Sequence, residues 1–166
     1  MSLFYDKAEL DNMFFEADEL IKSNLIGDAI NKLQEIIHRD PTYGKAYNHL
    51  GWIYETKMRN YPKAEEYYKK SLEYSPEYLP AYINYAICLS TMNKFDELEV
   101  HLENALKQPG IATNSIYNEY GIMYEIQGNY DKAIEYYQKA INYSLNHNDI
   151  QIYQDSISRC NLKRGR

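Results

Sequence analysis

The chain repeats itself about every 34 residues. Small residues at Ala17, Gly51, Ala86 and Gly121 stand 34, 35 and 35 positions apart, and Ala29, Ala64, Leu98 and Ala133 follow them by 12 or 13. The run Gly51-Trp52-Ile53-Tyr54 returns as Gly121-Ile122-Met123-Tyr124, 70 residues on. A single-core domain has no use for such a period. A stack of two-helix units does, because each unit can bury its apolar faces only against its neighbours. The expectation is therefore an all-α stack of four helix-turn-helix repeats, whose function is binding rather than catalysis.

The fourth repeat shows the chemistry most fully. Tyr117, Tyr120, Gly121 and Tyr124 open it, Gly128-Asn129-Tyr130 turns the chain, and Ala133, Tyr137 and Ala140 close it. The small residue allows two helices to approach, and the aromatic residue three places on covers the same face one turn later. Together the small and aromatic positions resemble the tetratricopeptide (TPR) repeat, W-x-x-L-G-x-x-Y followed by A-x-x-x-F-x-x-A and often proline. The resemblance covers residues 10 to 145. It implies a right-handed α-solenoid with repeats at about 10–43, 44–78, 79–113 and 114–147, forming one domain over residues 1–166.

The departures from the repeat pattern are local. The first repeat has Met13 and Glu16 where an aromatic residue and a leucine are usual, then recovers at Ala29, Leu33, Ile36 and Asp40-Pro41. The second carries one extra residue within Lys57–Pro62, a place a turn can absorb. The third reads Tyr82, Tyr85, Ala86, Leu89, Leu98, Leu102 and Ala105 and stops at Gln108-Pro109-Gly110. The fourth has no closing proline, which predicts a longer second helix running on toward Asn148. Beyond it, Ile150, Ile152, Tyr153, Ile157, Cys160 and Leu162 mark an amphipathic helix at about 149–163, read as a capping helix over the apolar end of the stack.

Composition removes several functions. With 45% hydrophobic and 25% charged residues over 166 positions, the chain suits a folded globular protein. No apolar run approaches the roughly 20 residues that span a bilayer, and the first six residues lack a basic-then-apolar leader, so a cytoplasmic protein without membrane insertion is expected. The net charge of -6 argues against nucleic acid, whose phosphates need a concentrated basic surface. His38, His49, His101 and His147 are scattered, and no phosphate loop or nucleophile elbow accompanies them. No enzyme, metal or cofactor is expected. Cys88 and Cys160 occupy apolar helix positions, as buried thiols do.

Charge is uneven along the chain. Asp6, Glu9, Asp11, Glu16, Asp18 and Glu19 face the single Lys7 in the first 20 residues, while Arg159, Lys163, Arg164 and Arg166 gather at the other end. Helix dipoles account for this pattern, and so would head-to-tail self-association through the terminal repeats. A monomer or a weakly self-associating chain is expected.

The TPR resemblance also implies which residues line a concave groove, namely the second, fifth, sixth, ninth, twelfth and thirteenth of each repeat. Counted from Leu10, Gly44, Leu79 and Asn114, these include Phe14, Asp18, Asn48, His49, Trp52, Glu55, Ile83, Asn84, Ile87, Asn118, Glu119, Ile122 and Glu125. Trp52 is either a rigid aromatic anchor for a partner or a ring half-buried between first helices. The asparagines can meet the backbone of an extended peptide or serve as cross-helix bonds. The clamp by which some TPR co-chaperones grip acidic tails is absent in both registers. In the second register only Asn84 matches, and Glu119 stands where an arginine should. Asp11, Asp18, Glu55, Glu119 and Glu125 outnumber Lys22 and Lys45, which predicts an apolar protein or peptide partner of neutral or basic character.

Overall fold

The computed structural model describes residues 7–165. Residues 1–6 and Arg166, on which the leader reading and two of the terminal charges rest, lie outside them. Among the described residues there are nine α-helices and no strand: α1 (Lys7–Lys22), α2 (Ile26–Arg39), α3 (Gly44–Thr56), α4 (Tyr61–Tyr74), α5 (Pro80–Thr91), α6 (Phe95–Leu106), α7 (Thr113–Ile126), α8 (Tyr130–Tyr143) and α9 (His147–Arg164). The chain divides into two compact units, Met1–Cys88 and Leu89–Arg166. The first contains α1 to α4 and most of α5; the second contains α6 to α9.

The turns show why each repeat folds back on itself. Asn24, Arg59, Asn93 and Gly128 all take positive φ, between 51° and 76°. Each follows a first helix and ends it in the left-handed conformation that reverses the chain. Asparagine and glycine reach this region easily; arginine does so at a cost of about 1 kcal/mol. The extra residue of the second repeat falls at this turn, next to Asn60, whose side chain accepts from the Lys63 N–H and starts α4. Asn129 starts α8 in the same way, accepting from Lys132 N–H.

In the first unit the core runs through Leu10, Met13, Ala17, Ala29, Leu33, Ile36, Tyr43, Ala46, Leu50 and Ile53. Gly51 lies under the Tyr68 ring, where an added Cβ would stand 2.7 Å from Cε1. In the second unit Gly121 lies under Tyr137 in the same manner, at 2.6 Å. No larger residue fits beneath either ring. Tyr68 and Tyr137 are wholly buried.

Their neighbours Tyr67 and Tyr136 are half-exposed and build an aromatic seam along each helix pair. Tyr67 meets Tyr47 and Tyr54 at 6.3 and 5.3 Å, and Tyr136 meets Tyr117, Tyr120 and Tyr124 at 6.1, 4.6 and 5.4 Å.

One boundary departs from expectation. α8 stops at Tyr143 and has 14 residues, the same as α4, instead of running on to Asn148. Ser144 is extended, and its hydroxyl accepts from Asn146 N–H. The Asn146 side chain then accepts from the N–H groups of Asn148 and Asp149 and starts α9 two residues earlier than periodicity predicts. An Asx cap does here what proline does elsewhere. On the buried face of α9, Tyr153, Ser156 and Cys160 turn inward, and Cys160 joins Ala133 and Tyr137. Both cysteines are buried, and they are not joined in a disulfide.

Candidate functional site

In the first unit, Asp18 and Ile21 from α1, Asn48, His49 and Trp52 from α3, Tyr78 from the turn before α5, and Pro80 and Asn84 from α5 line a half-open cavity of about 200 Å³. Helical spacing brings Asn48, His49 and Trp52 to one side of α3, and Asn84 arrives from the next repeat. Asn84 Nδ2 donates to Asn48 Oδ1 at 3.0 Å. That bond uses one donor and one acceptor, leaving Asn48 both its N–H groups and Asn84 one N–H and its carbonyl oxygen for other partners.

His49 is held by two neighbours. Its Nε2 lies 3.4 Å from Asp18 Oδ1, the Phe14 ring meets it edge-on at 4.4 Å, and Nδ1 is buried without a hydrogen-bond partner. Burial lowers its pKa against the opposing pull of Asp18, so the imidazole is neutral, with its proton on the nitrogen facing the carboxylate. Asp18 itself is held below the ordinary carboxylate range, first by its hydrogen bond from Lys22 and, against the cost of burial, by His49. The Lys22 ammonium lies 2.8 Å from it.

Trp52 is half-buried, as one of the two readings of the sequence has it. Its half-buried indole packs against the core of the first unit and also lines the cavity. The Lys57 ammonium lies 5.7 Å from its ring centroid. Phe14 reaches the site only through His49, and Ile83 and Ile87 do not line the cavity; Ile87 is 42% exposed. Glu55 turns away from the cavity: it is buried and accepts from the Tyr68 hydroxyl at 2.6 Å. Desolvation raises its pKa.

The second unit carries Asn118, Glu119, Ile122 and Glu125 on α7. Asn118 and Ile122 are partly exposed, whereas Glu119 is buried and desolvation pushes its carboxyl up to about 7. Glu125 accepts from Arg159 Nε and Nη2 at 2.7 Å each, from Lys163 Nζ at 2.8 Å and from the Tyr137 hydroxyl at 2.8 Å. The Arg159 hydrogen bonds lead in holding it at about 2, against desolvation.

The acids counted from the sequence as a repelling set are thus not equivalent. Asp11 accepts from the Tyr43 hydroxyl, Asp18 is paired with Lys22, Glu55 and Glu119 are buried, and Glu125 is neutralised by two cations. Tyr78 is the lining residue that sequence reasoning missed. It lies in a turn outside the first-helix register, and its position after Ser75-Pro76 was the only available signal.

Among the described residues, no group of three or more histidine, cysteine, aspartate or glutamate side chains could hold a metal ion. No described helix is long and apolar enough to cross a membrane.

Sequence models of the tetratricopeptide repeat match residues 44–78 and 115–147. Hsp70-Hsp90 organizing protein 3 of Arabidopsis thaliana is 25% identical over 143 residues, covering 86% of this chain and 25% of that protein. The chain spans a quarter of that curated relative. Among solved structures, pilF of Pseudomonas aeruginosa superposes with a TM-score of 0.75 at 16% identity, covering 91% of this chain and 76% of that one. MamA gives a TM-score of 0.75 at 20% identity, covering 95% and 84%. A thermophilic TPR protein of Thermus thermophilus gives 0.68 at 21% identity, covering 89% and 81%. At these identities the structural likeness is one of fold.

Proposed function

The chain belongs to the tetratricopeptide-repeat family, and we propose that it is a non-catalytic interaction scaffold that holds a peptide or helix segment against the first helices of its repeats. TPR proteins are in general protein-interaction scaffolds. The observation that carries the reading to this chain is the cavity of the first unit, where Trp52 and the Asn48–Asn84 pair stand together. The indole offers a rigid apolar surface, and the amides offer both donors and an acceptor, the two kinds of group that an extended backbone presents at each residue. The aliphatic part of a partner side chain would fill the space between Trp52, Ile21 and Pro80.

Residues 1–166 are read as one domain, with α9 as its cap. A cytoplasmic setting belongs to the same proposal. The alternative, head-to-tail self-association through α1 and α9, finds little free charge to work with. Arg159 and Lys163 clasp Glu125, and Arg164 pairs with Asp131 at 2.6 Å.

A peptide array followed by a Trp52→Ala comparison tests the scaffold reading. The substitution is expected to weaken the selected partner by about 2 kcal/mol while leaving the circular dichroism unchanged. A partner that binds Trp52→Ala and Asn84→Ala variants as tightly as the parent chain would move the site elsewhere.

A further inference from the structure

The lining of the first-unit cavity is chemically lopsided. Asp18 is its one ionised side chain, His49 being neutral, and two aromatic residues, Trp52 and Tyr78, share the lining with it. The charge left in the lining sits on an acceptor, the Asp18 carboxylate, with the Asn84 carbonyl oxygen beside it, while the amide N–H groups that remain on Asn84 and on the almost wholly buried Asn48 are neutral donors. Acceptors beside aromatic rings call for an occupant that brings N–H donors, positive charge and a flat or aliphatic body.

The chain's own cations already choose these rings. The Lys57 ammonium stands over Trp52 at 5.7 Å, and the Lys45 ammonium over Tyr78 at 5.9 Å. Neither lysine lines the cavity. Lys22, which pairs with Asp18, is 61% exposed and bonded also to Glu19, so it can release one carboxylate and keep the other.

Resting on the scaffold reading above, we propose that this cavity is a subsite for a basic side chain of the bound segment, arginine before lysine. A guanidinium is planar and weakly hydrated, stacks on an aromatic ring and spreads its donors in a fork. Here the plane lies against Trp52 or Tyr78, and the fork reaches the Asp18 carboxylate and the Asn84 oxygen. The methylene stem covers Ile21 and Pro80. A carboxylate-bearing side chain would set a second negative charge beside Asp18 and compete with it for Lys22.

The chain has a single tryptophan, so the emission of Trp52 reports occupancy directly. The probes are capped alanine pentapeptides with arginine, citrulline, glutamate or norleucine at the centre, titrated into the full chain. The arginine peptide is expected to shift the emission saturably and to bind about tenfold tighter than its citrulline counterpart, which keeps the shape and loses the charge. Asp18→Asn should erase that difference while leaving the circular dichroism unchanged.

Equal binding of arginine and citrulline peptides by the parent chain overturns the proposal, whatever the variant does. So does tighter binding of the glutamate peptide, or the absence of a saturable shift with arginine. If the norleucine peptide shifts Trp52 where arginine does not, the scaffold reading stands and only the basic subsite falls. If a partner chosen by the array binds without perturbing Trp52, the scaffold site itself is misplaced.

Discussion

The hairpins α3–α4 and α7–α8 use the same residues at the same places and differ in what lies beside them. Asn48 and Asn118, Gly51 and Gly121, Tyr54 and Tyr124, and Glu55 and Glu125 stand 70 positions apart. In both, a glycine admits a tyrosine ring and a glutamate four residues later accepts from that tyrosine's hydroxyl. Glu55 has only Tyr68, and burial raises its pKa. Glu125 also has Arg159 and Lys163 from α9, and its carboxyl is held at about 2. The lesson is that a repeat position specifies a contact within its own hairpin, while the charge state of that contact is set by the next helix along.

A second pair runs the other way. His49 and Glu119 occupy equivalent positions and are unlike in chemistry, yet burial drives each toward its neutral form, the imidazole downward and the carboxyl upward. The position tolerates a titratable group provided that it can shed its charge.

The strongest test of the likeness is overpacking. Gly51→Leu and Gly121→Leu should each destabilise by about 3 kcal/mol, the upper end for a well-packed site, because both meet a buried ring rather than a movable chain end. Denaturant melts that separated the two variants widely would break the equivalence of the hairpins.

The pH dependence of Glu119 sharpens the contrast with His49. Its folded-state carboxyl sits at about 7, above the unfolded value of about 4.3. The native state therefore holds the extra proton between those values, and its stability falls as pH rises through that window. Glu119→Gln should remove this loss, gaining about 3 kcal/mol over the parent at pH 8 and little at pH 4. A gain independent of pH would mean that the carboxyl is not what titrates.

The smallest effect separates the two glutamates. Tyr68→Phe strips Glu55 of its donor and should cost about 1.5 kcal/mol, whereas Tyr137→Phe leaves Glu125 its two cations and should cost about 0.5 kcal/mol. Equal costs in chemical melts would show that Arg159 and Lys163 do not sustain Glu125 in solution.

Much of the fold was legible before any coordinates. The period of small residues placed both helices of the second and fourth repeats, and glycine before tyrosine marked the close approaches that Gly51 and Gly121 make. The end of α8 was not legible, because Ser144 and Asn146 stop one helix and start the next through side-chain bonds that hydrophobic periodicity does not register. The site was legible only as a register. That register drew Asp18, Asn48, His49, Trp52 and Asn84 to one cavity, yet it also named Glu55 and Glu125, which turn to the tyrosines of their own hairpins.

The sequence by itself determined the two-helix repeat, its period and the small positions at which helices approach, because these depend on residues within about 20 positions of one another and on side-chain size. Only the tertiary structure decided which polar groups remain available. Asn84 meets Asn48 from 36 residues away, Arg159 reaches Glu125 across 34, and Tyr78 enters the cavity from a turn. Such partners are set by where neighbouring helices come to rest, and a carboxylate or imidazole takes its charge from whatever lies within a few ångströms of it.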